Sequence, residues 1–294
     1  MSKSILLIGC KGQIGTELQK TLQPWRNVIA VARQEAELTQ PETFEKLIKL
    51  WQPQIIINAA AYTAVDKAES EPELANTINA IAPKLMAQQA QQSGALLIHL
   101  STDYVFDGKN NCPYQEDDAT NPLSVYGKTK LLAEQAIRSN CRDYLILRTA
   151  WVYGSRGKSN FVKTMLRLGA QKPELKIVSD QIGSPTWAKD IAEAIAALIC
   201  KNQPENGIYH YTNSGVASWY EFAVAIFEEA KILGFPLKVE RVIPITTSEY
   251  PTPAIRPNYS VLNCAKISAL MESHPPHWRQ SLRKMLREFQ QLNL

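Results

Sequence analysis

Short apolar runs alternate with longer amphipathic stretches along the first half of the chain. The runs have the length of strands buried on both faces, and they are residues 5–8, 28–31, 55–57, 96–100 and 144–147. The stretches between them repeat apolar residues every three to four positions, which predicts helices over 13–22, 41–51, 72–92 and 124–138. Because Pro83 lies inside the third helix, we expect a kink or a restart there. This alternation predicts βαβ units, and therefore an α/β fold with a doubly wound parallel sheet.

The pattern loosens after about Trp151. Segments rich in Pro, Ser, Thr and Tyr follow, and helical patterns return over 188–200, 218–233 and 278–292. At roughly 100–200 residues per domain, 294 residues fit one large domain or two coupled ones. We expect residues 1–150 to form the first domain and residues 151–294 to form mainly a smaller α/β domain. Segments at about 176–200 and 218–233 are expected to return to the first domain.

Composition and charge exclude several classes of protein. A hydrophobic fraction of 45% with 20% charged residues is typical of a globular chain. Thirty-two Lys and Arg against 28 Asp and Glu leave a net charge of +4, too weak and scattered for a nucleic-acid surface. No apolar run approaches the ~18 residues that span a bilayer, and the run over 5–8 is too short for a signal peptide. We expect a soluble, cytoplasmic protein with neither nucleic acid nor membrane as a partner.

The cysteines and histidines do not suggest a metal or disulfide framework. The five cysteines are widely spaced, without a C-x-x-C pair, and the four histidines include no H-E-x-x-H. Packed or solvated roles are therefore expected for both residue types.

Three glycines at fixed spacing follow the first predicted strand. Gly9, Gly12 and Gly15 form G-x-x-G-x-x-G and open the first predicted helix. Gly9 permits a sharp turn, Gly12 lets backbone N–H groups approach a pyrophosphate, and Gly15 lets the helix pack close to the sheet. The pattern predicts a Rossmann-like dinucleotide-binding domain over 1–150.

The end of the second strand bears on which nicotinamide cofactor is used. An acidic residue there binds the ribose 2′-OH of NAD, whereas an Arg accommodates the 2′-phosphate of NADP. Strand 28–31 is followed by Ala32 and Arg33, with no acid at the tip. We therefore predict NADPH, with Arg33 at the 2′-phosphate. Glu37 leaves use of NADH open.

A Thr, a Tyr and a Lys form the candidate catalytic set. Tyr126 and Lys130 share one face of a predicted helix, and Thr102 comes at the end of the strand over 96–100. Reduction of a ketone leaves negative charge on oxygen, which needs a hydrogen bond and a proton. We expect Tyr126 to deliver the proton, Lys130 to lower the pKa of Tyr126 and to bind the nicotinamide ribose, and Thr102 to stabilise the developing oxyanion.

These motifs resemble the dTDP-4-dehydrorhamnose reductase family, within the extended short-chain dehydrogenase/reductases. The resemblance covers almost the whole chain, and its most specific pieces are residues 9–15, 58–69, 101–108, 126–130, 148–154 and 180–186. It implies reduction of the 4-keto group of dTDP-4-dehydro-L-rhamnose to dTDP-L-rhamnose, the last step of dTDP-rhamnose biosynthesis.

The resemblance also implies roles for individual residues. Thr102, Tyr126 and Lys130 match the family's catalytic triad. The implied sugar contacts are Thr102, Asp103, Tyr104 and Trp151. The implied cofactor contacts are Gly12, Gln13, Ile14, Ala60, Ala61 and Tyr62. Arg256 lies in an R-P motif, and its guanidinium is expected to pair with the diphosphate of the sugar nucleotide.

A metal and a dimer are further implications. Some family members dimerise through Mg²⁺ held by glutamates, and Glu17 stands where one such ligand would come. The other positions do not align, so a homodimer and a bridging Mg²⁺ stay open at this point.

Two alternatives to this reductase activity are weighed. A non-catalytic, reductase-like regulatory subunit would have no need to keep Thr102, Tyr126 and Lys130 together. Another sugar-nucleotide enzyme, such as a reductase, a 4-epimerase or a dehydratase, is the second alternative. A dehydratase needs an acidic pair beside the Thr, and here Asp103 is the single acid in the Thr-Asp-Tyr sequence.

Overall fold

The structure, a computed structural model, describes residues 4–25, 27–40, 42–201 and 205–292. In that part of the chain the strands are β1 (Ile5–Ile8), β2 (Val28–Val31), β3 (Ile55–Asn58), β4 (Leu96–Thr102), β5 (Tyr144–Thr149), β6 (Val152–Tyr153), β7 (Glu174–Val178), β8 (Ile182–Gly183), β9 (Thr186–Trp187), β10 (Gly207–His210), β11 (Ala217–Ser218) and β12 (Arg241–Ile245).

The α-helices of the same residues surround these strands. They are α1 (Gln13–Leu22), α2 (Glu42–Trp51), α3 (Val65–Ala68), α4 (Pro72–Asn76), α5 (Ala82–Ser93), α6 (Val125–Asn140), α7 (Phe161–Gly169), α8 (Ala188–Cys200), α9 (Trp219–Ile232), α10 (Ala265–Met271) and α11 (Trp278–Leu292). Within the described ranges, none of the helices has the length and apolar character that a membrane span requires.

A six-stranded parallel sheet forms the larger part of the molecule. Its order is β2-β1-β3-β4-β5-β10, and every neighbouring pair is parallel. Successive residues of β1 enter opposite layers, because Ile5 and Leu7 pack with α1 and α8 while Leu6 and Ile8 pack with α2 and α5. Burial on both faces explains why β1 is a continuous apolar run. The predicted doubly wound α/β fold is confirmed.

The chain reverses its direction of winding between β1 and β3. From β1 it passes through α1 to β2 on one side, and from β3 it passes through α4 and α5 to β4 on the other. In doubly wound sheets, ligands bind at the carboxyl ends of the strands beside such a switch point. The topology therefore places the ligand-binding crevice at the end of β1, where the glycine loop begins.

The helical segment around Pro83 is interrupted, as its sequence predicts. A π-helical turn over Thr77–Ile81 separates α4 from α5, and Pro83 lies in the first turn of α5. Proline is tolerated in the first turn of a helix because the N–H that it lacks has no partner there. The π turn also turns Asn79 toward the segment after β3.

A second core lies outside the six-stranded sheet. It joins α7, α9 and α11 to the parallel pair β7–β12 through side chains such as Phe222, Trp187 and Leu282. Contrary to our expectation for 218–233, α9 packs in this second core. The strand Glu174–Val178 likewise pairs with β12 and not with the large sheet. α9 packs against α7 and α11, and β7 packs against α7 and α9; local patterning does not specify these contacts.

The segments that return to the large sheet are α8 and β10. Ile191, Ile195 and Leu198 of α8 pack in the same core as α1, and β10 pairs with β5. From these separate cores we propose that the chain divides near residue 150 into a dinucleotide-binding unit and a smaller unit. In this division α8 and β10 belong to the dinucleotide-binding unit.

Candidate active site

A cleft of about 840 Å³ opens at the carboxyl ends of β1, β3, β4 and β5. The predicted site residues that line it are Gly9, Gly12, Gln13, Ile14, Arg33, Ala60, Ala61, Tyr62, Thr102, Asp103, Tyr104, Tyr126, Lys130 and Trp151. Gly15 and Arg256, both among the described residues, lie outside this lining. The fold therefore gathers most of the predicted residues into one cleft.

The glycine loop has almost no room for side chains. Gly9 has a φ of +83°, and a Cβ there would lie 2.7 Å from the backbone nitrogen of Ala60. A Cβ on Gly15 would lie 2.1 Å from the carbonyl oxygen of Gly9, so this glycine permits close packing of α1 and does not face the cleft. The first turn of α1 carries no acidic residue and no side-chain cap. Its free N–H groups and positive helix end can therefore receive an anion.

Two side-chain amides that were not predicted as site residues hold parts of the cleft in place. The Asn160 amide donates hydrogen bonds to Gln13 Oε1 at 2.9 Å and to the Gly154 carbonyl at 2.8 Å. Asn160 also caps α7, an N-terminal signal that is readable in the sequence. After β3, the Asn79 side chain accepts the N–H of Tyr62, which lines the cleft, and donates to the Tyr62 carbonyl. Both amides hold cleft-lining backbone or side chains in fixed positions.

Arg33 lies at the edge of the cleft with 76% of its side chain exposed. Its Nε donates to Glu37 Oε2 at 2.8 Å, and this hydrogen bond holds the pKa of Glu37 below its usual range. Glu37 also lines the cleft. The two residues that bear on the choice of cofactor thus form one exposed ion pair.

Thr102 and Asp103 lie together at the end of β4. The Thr102 hydroxyl donates to Asp103 Oδ1 at 2.9 Å and accepts the N–H of Tyr104 at 3.2 Å. Burial raises the pKa of Asp103 to about 6, although hydrogen bonds from Ser260 and Thr102 oppose the shift. The Thr102 hydroxyl and the Asp103 carboxyl therefore lie together in the cleft where β4 ends.

Tyr126 reaches the cleft from the first turn of α6. The Ser124 side chain caps this helix, and a Cβ on Gly127 would lie 2.3 Å from the Tyr104 carbonyl, so glycine lets the helix approach β4. Tyr126 contacts Tyr104 edge-to-face at 5.6 Å between ring centroids. The Thr102 side chain is near enough to the Tyr126 hydroxyl to influence its pKa, and both residues line the cleft.

Burial is the main influence on the pKa of both Tyr126 and Lys130. Burial raises the pKa of Tyr126 to about 12, and Thr102 opposes that shift only in part. Lys130 Nζ is directed at β4, where it donates to the Leu100 carbonyl at 2.6 Å and lies 3.1 Å from His99 Nε2. Burial lowers the pKa of Lys130 to about 8, against the opposing charge of Glu134. Desolvation is the largest cause of both shifts, and a lowering of the Tyr126 pKa by Lys130 stays a prediction.

Two stacked indoles form one wall of the cleft. The rings of Trp151 and Trp219 lie 3.5 Å apart between centroids with an interplanar angle of 2°. Trp151 has a φ of +48°, and a Cβ on Gly183 would lie 2.5 Å from its ring. A non-glycine residue in this conformation is held by its surroundings, and such residues cluster at functional sites. Trp219 was not predicted, because it comes from α9 and meets Trp151 only in the folded chain.

Arg256 is not among the described residues that line the cleft, although it lies near Tyr104, which does. Its guanidinium forms a bidentate ion pair with Asp66 at 2.9 and 2.6 Å, and Nη1 also donates to Thr252. The pair joins the loop that precedes α10 to the first turn of α3. The hydrogen bond from Arg256 lowers the pKa of Asp66. In this arrangement the expected diphosphate partner is already engaged with a carboxylate.

Glu17 lies buried in a second, smaller pocket that Glu193 and Glu288 also line. Burial raises the pKa of Glu17, and Lys20 Nζ lies 3.6 Å from its carboxylate. Among the described residues, no three His, Cys, Asp or Glu side chains are grouped closely enough to hold a metal ion. The residues of one chain therefore do not by themselves fit the Mg²⁺ site that the resemblance implied.

The parallel sheet, its glycine loop at the β1–β3 crevice and the adjacent Thr–Tyr–Lys set define a Rossmann-type protein of the extended short-chain dehydrogenase/reductase class. The family described as RmlD substrate binding domain matches residues 3–291. A dTDP-4-dehydrorhamnose reductase of Salmonella typhimurium is 44% identical over 292 residues, with 97% of each chain covered. The chain belongs to this family, and the resemblance drawn from its motifs is confirmed.

Solved structures agree in fold over the whole chain. A dTDP-4-dehydrorhamnose reductase from Clostridium acetobutylicum is 41% identical, with a TM-score of 0.91 and coverage of 98% of this chain and 99% of that one. Another, from Bacillus anthracis, was solved in complex with NADP. It is 37% identical, with a TM-score of 0.91 and coverage of 98% and 100%.

Proposed function

We propose that the protein reduces the 4-keto group of dTDP-4-dehydro-L-rhamnose to dTDP-L-rhamnose with NADPH, the last step of dTDP-rhamnose biosynthesis. One observation carries the proposal: a single cleft holds the glycine loop together with Thr102, Tyr126 and Lys130. The names of the relatives and the NADP complex of the Bacillus anthracis structure support it.

The residues around the glycine loop fit a dinucleotide. Gly9 and Gly12 present no side chains to a bound dinucleotide. The first turn of α1 offers N–H groups to its pyrophosphate. Gln13 and Ile14 would lie beside the phosphates, and Ala60, Ala61 and Tyr62 beside the ribose. When bound, NADPH supplies a hydride to the substrate carbon.

Tyr126 delivers the proton in this proposal. Its raised pKa keeps the phenol protonated over the neutral range, so it can donate to the substrate oxygen as negative charge develops there. Thr102 donates to the same oxygen once its single hydroxyl proton, which Asp103 Oδ1 accepts in this structure, turns to the substrate. Lys130 binds the nicotinamide ribose, with its Nζ fixed from β4.

The aromatic wall binds the sugar. Tyr104 and Trp151 line the cleft with Thr102. The Trp219 ring, which also lines the cleft, stacks on the ring of Trp151. Because Arg256 is paired with Asp66, a contact with the diphosphate would require it to exchange one anion for another. We keep that contact as a proposal.

Replacing Trp151 by Ala is expected to raise KM for the sugar nucleotide about tenfold, since the lost aromatic contact is of order 1 kcal/mol. KM for NADPH should change much less. Steady-state kinetics with each substrate varied in turn measures both values. Trp51→Ala, on the surface away from the cleft, is the matched control. A larger rise in KM for NADPH would remove Trp151 from the sugar site.

Replacing Arg33 by Ala is expected to raise KM for NADPH about tenfold, because a charge-assisted hydrogen bond to the 2′-phosphate is lost. KM for NADH should stay the same, since NADH carries no such phosphate. Arg142→Ala, an exposed arginine outside the cleft, is the control. A higher kcat/KM of the unaltered protein with NADH than with NADPH would contradict the role of Arg33.

The proposed activity is tested directly with purified protein, NADPH and dTDP-4-dehydro-L-rhamnose. We expect the absorbance of the reduced nicotinamide to fall only when both compounds are present, with dTDP-L-rhamnose as the product. Binding of NADPH without turnover would favour the non-catalytic regulatory subunit. Turnover of other 4-keto sugar nucleotides, with none of this one, would favour a different reductase or an epimerase.

A homodimer and a cytoplasmic location stay predictions. If Mg²⁺ bridges two copies through Glu17, gel filtration should show a dimer that EDTA converts to monomer. A mass that EDTA leaves unchanged would contradict the bridging metal, and a monomer in both buffers would contradict the dimer as well.

A further inference from the structure

A buried glutamine holds one of the two stacked indoles in the cleft wall. Trp219 Nε1 donates to Gln181 Oε1 at 3.2 Å, and Gln181 is 6% exposed. Gln181 is not among the described residues that line the cleft, whereas Trp219 is. Contact with substrate or cofactor therefore does not explain this buried amide, and its partner Trp219 indicates its role.

The hydrogen bonds of Gln181 allow one orientation of its amide. An indole N–H can only donate, so the atom that faces Trp219 is Oε1. The Nε2 group then donates to Thr247 Oγ1 at 3.1 Å, and the single hydroxyl proton of Thr247 goes to Asp180 Oδ1 at 2.7 Å. The backbone N–H of Thr247 also donates to Asp180. Each of these bonds joins one donor to one acceptor, so the chain from Asp180 to Trp219 is consistent throughout.

Strand pairing places Gln181 opposite Trp219. β8 and β11 are antiparallel, with Ile182 opposite Ser218, so the next residues along the two strands, Gln181 and Trp219, also face each other. The backbone of Ile182 is bonded in turn to residues 258–260, through both its N–H and its carbonyl. The glutamine is therefore attached to a segment of backbone that is anchored on two sides.

We infer that Gln181 is a positioning residue for Trp219, with Thr247 fixing the Gln181 amide. The inference rests on the proposed function, since it deepens the assignment of the stacked indoles to the sugar. The Trp219 ring lies 3.5 Å from that of Trp151 between centroids, at an interplanar angle of 2°. Because an indole has a single N–H, its bond to Gln181 excludes the orientation in which the ring is turned over. The stack is then formed before the substrate arrives, which lowers the ordering cost of binding.

The hydrogen bond can be measured without any turnover. In ¹⁵N-labelled protein each of the six tryptophans gives one indole N–H signal, and that of Trp219 is the one missing from Trp219→Phe. Gln181→Met replaces the amide by an apolar side chain of similar length. We expect it to speed the exchange of the Trp219 N–H with water about tenfold. An unchanged exchange rate would overturn the inference whether or not the protein reduces the sugar nucleotide.

Gln181→Met is expected to raise KM for the sugar nucleotide about fivefold, since a hydrogen bond that preorganises the wall is lost. KM for NADPH and kcat should stay the same, because Gln181 lies outside the lining that contains Tyr126 and the glycine loop. Gln181→Glu should restore most of the KM, since its carboxyl offers an oxygen to Trp219 in either protonation state. A fall in kcat, or equal rises in both KM values, would show a merely structural role and overturn positioning.

A double-mutant cycle separates the hydrogen bond from packing. Trp219→Phe keeps a ring that can stack on Trp151 but has no N–H for Gln181. In this background Gln181→Met should change KM for the sugar nucleotide by less than about twofold. The same rise in KM in both backgrounds would overturn the inference, because Gln181 would then act without the Trp219 N–H.

Gln290→Met is the matched control. Gln290 Nε2 donates to the Leu233 carbonyl at 2.8 Å, and Gln290 is not among the described residues that line the cleft. Thermal unfolding of each variant is measured beside the kinetics. A loss of stability in Gln290→Met without a change in KM would support positioning by Gln181, and an equal rise in KM in the two variants would overturn it. If the unaltered protein does not turn over the sugar nucleotide, the proposed function fails while the exchange of the Trp219 N–H still decides the inference.

Discussion

Replacing Tyr126 by Phe is expected to lower kcat by at least about a hundredfold, because the substrate oxygen loses its general acid. The ring and its edge contact with Tyr104 remain, so the cleft should keep its shape. Since burial holds the pKa of Tyr126 at about 12, the phenol stays protonated through pH 6–9 and its ionisation should not limit the rate there. Stopped-flow or steady-state absorbance of the reduced nicotinamide measures the loss.

Tyr104→Phe is the matched control for this substitution. Tyr104 lines the same cleft and also carries a phenol, its ring meets that of Tyr126 edge-to-face, and in our proposal it contacts the sugar without donating the proton. We expect its effect to fall mainly on KM for the sugar nucleotide. Equal losses of kcat in the two variants, or an unimpaired Tyr126→Phe, would reject Tyr126 as the proton donor. NADPH affinity should be unchanged in both.

Replacing Glu134 by Ala is expected to lower the free energy of unfolding by about 3–5 kcal/mol. Its carboxylate accepts hydrogen bonds from Arg148 Nε at 2.9 Å and Arg148 Nη2 at 2.7 Å, and from the Ser101 hydroxyl. Glu134 and Arg148 are 1% and 2% exposed, so the substitution leaves a guanidinium buried without its counter-charge. Urea unfolding followed by circular dichroism measures the change.

Glu45→Ala provides a comparison at the surface. Glu45 pairs with Lys49 one turn away on α2, and both side chains are largely exposed. Water and salt screen such a pair, so its removal should change the free energy of unfolding little. Similar losses for the two substitutions would mean that the Glu134–Arg148 pair contributes no more than an ordinary surface pair.

The first half of the fold could be predicted because its signals are local. Strands buried on both faces read as continuous apolar runs, and α1 begins where the glycine loop ends. The later strands could not be predicted, since β7 pairs with a strand 67 residues further along the chain at its first residue pair, Glu174 with Arg241. Pro244 in β12 also argues against a strand by itself. Such pairings depend on tertiary contacts that no local pattern records.

The candidate site divides in the same way. The glycine loop and the Y-x-x-x-K pair were visible because each is a short motif beside a predicted strand or helix. The direction of Lys130 was not visible, since its partner His99 belongs to a different strand. Trp219 was missed because it reaches the cleft from α9, and the ion pair of Arg256 with Asp66 was not foreseen because Asp66 lies 190 residues away in sequence.

One face of α6 carries three functional groups at intervals of one helical turn. Tyr126 lines the cleft, Lys130 donates to the Leu100 carbonyl of β4, and Glu134 forms a buried ion pair with Arg148. Because the three residues lie on one helix, any rotation of α6 would displace the Tyr126 phenol, the Lys130 amine and the Glu134 carboxylate together. The proposed proton donor and a buried ion pair that stabilises the fold are therefore carried by the same helix.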